Sequence, residues 1–144
     1  MTTAATAPPS TGVPQPSPLP RLAGFERVLE FEPGLRAVAL RNIPGTLPFF
    51  ATHFPRRPVL PGVLLLESMA ALAGAAAGGA HWRLHTAGTL RFRHFVGPGD
   101  QLVLTVELLS RSLESTEWRA SATVGGRTVA TARTLTLLPL GGTS

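Results

Sequence analysis

The residues most able to do chemistry in this chain are His53 and Glu67, fourteen positions apart in the run His53-Phe54-Pro55-Arg56-Arg57-Pro58-Val59-Leu60-Pro61-Gly62-Val63-Leu64-Leu65-Leu66-Glu67. An imidazole with its ordinary pKa near 6.5 offers a neutral nitrogen base at physiological pH. Glu67 and Ser68 are the only polar side chains between Pro61 and Ala80, so a helix there is expected to hold the carboxyl in apolar surroundings. Burial disfavours the carboxylate and keeps a proton on the group, which makes it a candidate general acid beside a candidate base.

The elements that must position this pair follow from local pattern. Pro48, Pro55, Pro58 and Pro61 forbid a regular ladder or helix before the apolar run, so His53 is expected in a stiff loop. Pro61 near the first turn, helix formers from Val63 to Ala77 and the pair Gly78-Gly79 predict one long helix. Apolar on nearly all faces, it is expected to be wrapped by other structure. Upstream, Phe25–Phe31 and Leu35–Ile43 flank the turn tripeptide Glu32-Pro33-Gly34 and read as a hairpin. Downstream, Thr89–Val96 is a strand candidate, followed by a turn at Gly97-Pro98-Gly99-Asp100. Leu102, Leu104, Val106 and Leu108 alternate through a strand over 101–111, and Trp118, Ala120, Ala122 and Val124 repeat that period. Gly125-Gly126 then signals a two-residue hairpin returning through Val129, Thr131, Arg133, Leu135 and Leu137. One apolar helix with five or six antiparallel strands predicts an α+β domain in which a curved sheet wraps the helix.

Composition narrows the possibilities. A chain of 144 residues suits one domain, expected over 21–140. Residues 1–20 contain six prolines among many Thr, Ser and Ala and are expected to form a disordered tail, with 141–144 a flexible C-terminus. That tail lacks the basic start and apolar centre of a signal peptide. Cysteine is absent, which removes disulfides and thiolate metal sites and makes the cytoplasm the expected compartment. All thirteen basic residues are arginine, giving a net charge of +5 that favours acidic partners. The arginines are scattered, only Arg56 and Arg57 adjoining, so a nucleic-acid stripe is not expected. Val59–Ala80 approaches membrane-spanning length, but its Gly/Ala-rich second half, its glutamate and its missing anchors point to a buried helix instead. His81 and His85 have no evident third ligand, so no metal site is expected. His94 reads as solvated, Trp118 as core or interface, and Ser68 has no base placed to activate it.

The segment Pro48–Ala70, with Arg91-Phe92-Arg93 and Val96-Gly97-Pro98-Gly99-Asp100-Gln101-Leu102 after it, resembles the FabZ-type 3-hydroxyacyl-(acyl carrier protein) dehydratases in motif and in histidine-to-glutamate spacing. The resemblance covers roughly residues 24 to 138. It implies a single hotdog fold and a dimer of joined sheets, in which the histidine of one subunit works with the glutamate of the other. It also implies dehydration of carrier-bound 3-hydroxyacyl thioesters to trans-2-enoyl thioesters, in fatty acid or polyketide-type biosynthesis, without cofactor or metal. His53 would be the base at C2 and Glu67 the acid toward the 3-hydroxyl. The amides of Gly62 and Val63, at the positive end of the helix, would hold the thioester oxygen. Phe50, Phe54 and Leu66 are the candidate lining of the substrate tunnel. Arg56 and Arg57, with Arg91 and Arg93, are candidate contacts for an acidic acyl carrier protein. Homodimer, heterodimer with a homologous subunit and higher oligomers all stay open. So do two rival functions on the same scaffold, an acyl thioesterase and a mainly structural heterodimer subunit. Three departures mark the chain as a divergent member: Thr52 where glycine is usual, Ala71 where glutamine is usual, and Leu19-Pro20-Arg21 in place of an opening Pro-His-Arg block.

Overall fold

The computed structural model describes residues 19–43, 60–78 and 81–140. The first hairpin pairs β1 (Arg27–Glu32) with β2 (Arg36–Asn42). Gly34 takes a positive φ of 76° in its turn, and its NH donates to the Ala76 carbonyl near the far end of the helix. That helix, α1, spans Gly62–Ala77 and stops at Gly78, whose φ is 65°. Four long strands follow: β3 (Trp82–Phe92), β4 (Gln101–Arg111), β5 (Thr116–Val124) and β6 (Arg127–Pro139). They complete an antiparallel six-stranded sheet in the order β1-β2-β4-β5-β6-β3, across which α1 packs.

Most elements stand where the local chemistry predicts them. Gly125 and Gly126 both have positive φ, 58° and 81°, as a tight two-residue turn between β5 and β6 requires. The Gly97–Asp100 turn closes on itself, with the Gly97 NH donating to Asp100 Oδ2 at 2.9 Å. β3 departs from expectation, beginning at Trp82 instead of Thr89 and ending at Phe92 instead of Val96. Among the described residues it is an edge strand, paired with β6 alone, and its Arg83 and His85 are solvent-exposed, so its first half mixes apolar and charged residues.

The core lies between α1 and the inner sheet face. Leu65, Met69, Leu72, Ala73 and Ala76 meet Leu102, Leu104, Val106, Trp118, Leu135 and Leu137, all essentially inaccessible. Each large apolar side chain so buried contributes about 1.5–3 kcal/mol. Alanines at 120, 122, 130 and 132 line the sheet side and let the helix approach closely. The Trp118 indole NH, which burial would otherwise leave unpaired, donates to the buried Thr116 hydroxyl at 2.9 Å.

Candidate active site at the start of the helix

The approach to α1 is tied to the β3–β4 connection at two points. Ile43, at the end of β2, donates to the Asp100 carbonyl at 3.0 Å and accepts from the Gly99 NH at 2.8 Å. Leu60 donates to the Val96 carbonyl at 2.6 Å. The chain between these anchors, 44–59, lies outside the described residues and contains His53, Phe50, Phe54, Arg56, Arg57 and Thr52.

Pro61 caps the helix with an extended backbone, φ −60° and ψ 142°, and has no side-chain acceptor to offer. Its carbonyl takes the NH groups of Leu64 (3.0 Å) and Leu65 (3.4 Å), so no side-chain cap answers the first-turn amides of Gly62 and Val63. No acidic residue occupies the first turn to offset the positive end of the helix. Gly62 has a further reason to be glycine. A Cβ there would lie 3.0 to 3.3 Å from three ring carbons of Phe92, so the aromatic ring at the end of β3 rests on the helix entry.

Glu67 departs from expectation. The face of α1 that carries Leu65, Met69, Leu72, Ala73 and Ala76 turns to the sheet, which directs Val63, Glu67 and Ala71 outward at i, i+4 spacing. All three are exposed, Val63 at 60%, and Leu66 is half-buried. Among the described residues, nothing buries the Glu67 carboxyl, and the sheet covers one face of the helix while the stripe opposite stays exposed.

Ser68, beside Glu67, is buried, with its hydroxyl donating to the Leu64 carbonyl at 3.2 Å and accepting from the Arg41 guanidinium. Arg41 escaped the sequence reading. Its signal was parity: in β2 the buried Ala37 and Ala39 alternate into Arg41, which puts the guanidinium on the core side of the sheet. Arg91 and Arg93 lie on the opposite side. Phe92 turns toward α1, so its two neighbours alternate to the outer sheet surface. His94 and His81 are exposed, and the described residues contain no cluster of three potential metal ligands. No helix among the described residues is long and apolar enough to cross a membrane.

Solved structures share this architecture. A hypothetical thioesterase from Streptococcus pneumoniae, determined with coenzyme A, aligns with a TM-score of 0.65 at 15% identity, covering 85% of this chain and 92% of its own. The dehydratase heterocomplex ApeI:P from Xenorhabdus doucetiae gives a TM-score of 0.67 at 14% identity, covering 83% and 84%. Among the described residues one helix lies on a long antiparallel sheet, and this arrangement, shared with these neighbours, defines a hotdog fold. Sequence narrows the class. The model of the FabA-like domain matches residues 17–133. A protein named 3-hydroxyacyl-[acyl-carrier-protein] dehydratase FabZ, from Ruminiclostridium cellulolyticum, is 36% identical over 111 residues, covering 73% of this chain and 78% of its own length. The chain belongs to the FabA-like family, on its FabZ-type side, and is a hydro-lyase.

Proposed function

We propose that this chain removes water from 3-hydroxyacyl thioesters held on an acyl carrier protein, in fatty acid or polyketide-type biosynthesis. The match to FabZ-type relatives across most of the chain carries this reading. His53 takes the C2 proton, the C2–C3 double bond forms, and the C3–oxygen bond breaks as Glu67 of the partner subunit protonates the departing hydroxyl. The uncapped amides of Gly62 and Val63 stabilise the thioester oxygen as it gathers charge. The elimination needs no cofactor or metal.

The open Val63–Glu67–Ala71 stripe supports a site completed by a second subunit. A carboxyl that its own chain leaves in solvent acquires a dry, acid-retaining environment when another surface covers it. Phe50, Phe54 and Leu66 line the acyl tunnel. Arg56 and Arg57 meet the acidic carrier protein, and Arg91 and Arg93, on the outer sheet face, are further contacts for it. The enzyme works in the cytoplasm as a homodimer or as half of a heterodimer.

The test is incubation of purified protein with 3-hydroxyacyl carrier proteins of several chain lengths, read by mass spectrometry as loss of water. Wild type turns over, while His53→Ala and Glu67→Gln each lose about 10²-fold or more with unchanged melting temperature. Turnover equal to wild type in both variants removes the pair from the mechanism. Release of free acid from a saturated acyl thioester, without dehydration, replaces the elimination by hydrolysis. Activity that appears only when a co-purifying homologue is added assigns the chain to a heterodimer.

A further inference from the structure

On the sheet face opposite α1, a cleft of about 340 Å³ runs across β3, β4, β5 and β6. Its walls carry four guanidinium groups, Arg91, Arg93, Arg119 and Arg133, against the single carboxylate of Glu107. Glu107 is already engaged, accepting from Arg119 at 3.1 Å and from Arg36 beyond the cleft. Among the described residues, Arg91, Arg93 and Arg133 have no carboxylate within ion-pair distance. The floor is made of hydroxyls, because strand register sets Thr105 opposite Ser121, Ser121 opposite Thr131 and Thr131 opposite Arg91.

The arrangement gathers positive charge on one face of the sheet. Trp118 pairs with Leu135 and Ala120 with Ala132, so Arg119 faces the irregularity that holds Arg133 on the next strand. Like charges set side by side on neighbouring strands repel. At the same point, across from Arg133, stands Thr89, whose φ of 50° makes it the only non-glycine residue with positive φ among those described. A β-branched residue held in that conformation is strained, and such strain gathers at sites shaped for binding. An anion between the guanidiniums turns the repulsion into charge-assisted hydrogen bonds, with the hydroxyls as further donors.

A water molecule occupies about 30 Å³ of liquid, so the cleft has room well beyond one phosphate group. We propose that the outer sheet face binds a small diphosphate anion, either free pyrophosphate or the diphosphate of an ester such as a nucleoside diphosphate. Arg91, Arg119 and Arg133 bind the phosphoryl oxygens, and Thr105, Ser121 and Thr131 complete the cradle. The inference does not rest on the elimination chemistry proposed at the start of α1, although it shares Arg91 with the surface proposed there for the carrier protein.

Calorimetric titration of the full chain at low salt with pyrophosphate, orthophosphate, ADP and sulfate tests it. Pyrophosphate is expected to saturate one site per chain below about 1 mM. Arg133→Gln weakens that binding by about tenfold or more, while Arg27→Gln, on β1 and outside the cleft, leaves it as in wild type. ADP bound as tightly as pyrophosphate assigns the site to diphosphate esters, and pyrophosphate bound without ADP assigns it to the free anion; both uphold the proposal. Absence of saturation, sulfate binding as tight as pyrophosphate, or equal weakening in Arg133→Gln and Arg27→Gln overturns it. Wild-type protein supplies a second readout that needs no variant to fold. Pyrophosphate should shield Arg91, Arg119 and Arg133 from phenylglyoxal, and shielding confined to other arginines refutes the site.

Discussion

The contact between Phe92 and the first residue of α1 makes a quantitative prediction about the helix entry. In Gly62→Ala the new methyl would lie 3.0, 3.1 and 3.3 Å from three ring carbons of Phe92. Carbon atoms settle at about 3.5–4.0 Å, so the ring must retreat by roughly 0.5 Å. Phe92 is 50% exposed and has an open side to move toward. The clash should therefore cost about 1 kcal/mol, the low end of the overpacking range. Against this, alanine reduces the entropy of the unfolded chain, a gain of about 0.5 kcal/mol. Gly62→Ala alone should thus destabilise by about 0.5 kcal/mol, whereas in a Phe92→Ala background the same change should stabilise by about 0.5 kcal/mol. The coupling is about 1 kcal/mol, read from urea unfolding of the four proteins by circular dichroism. A coupling below about 0.3 kcal/mol would show that the ring does not rest on the helix entry.

Two other perturbations probe the sheet. Trp118→Ala removes the largest fully buried side chain and orphans the Thr116 hydroxyl, and should cost about 3–5 kcal/mol in denaturant unfolding; a loss under about 1 kcal/mol would contradict its place in the core. The Glu107 pKa is lowered, chiefly by the hydrogen bond from Arg119 and further by the charges of Arg36 and Arg119. Because the folded-state value lies below the unfolded one, this contribution is present above the ordinary carboxylate pKa of 4.5 and is lost as pH falls through the depressed value. NMR titration should show the Glu107 carboxyl moving back up in Arg119→Ala, with the shift shrinking in high salt because both partners are solvent-accessible. An unmoved Glu107 titration would reject that pairing.

What the sequence could reveal divides along physical lines. Tight turns were legible because single residues set their dihedrals: Gly125-Gly126, Gly97–Asp100 and Glu32-Pro33-Gly34 all sit where expected, and Pro61 and Gly78 bound the helix. The start of β3 was not, since an edge strand needs only a partly apolar surface and Arg83 and His85 obscured its alternation. Arg41 was hidden for the converse reason. At the end of a strand a core-facing position tolerates a guanidinium if a buried acceptor awaits it, and Ser68 sits on an element distant in sequence. Glu67 is the instructive case. A helix apolar on all faces states that all its faces favour cover, yet hydrophobicity carries no label for which chain supplies it. One sheet buries the Leu65–Ala76 face and leaves Val63, Glu67 and Ala71 in solvent. On the proposed two-subunit site, the surroundings of Glu67 are set by assembly as well as by fold, and dilution that parts the subunits is expected to abolish dehydration while the circular dichroism of the chain stays unchanged; turnover that survives dissociation would refute that site.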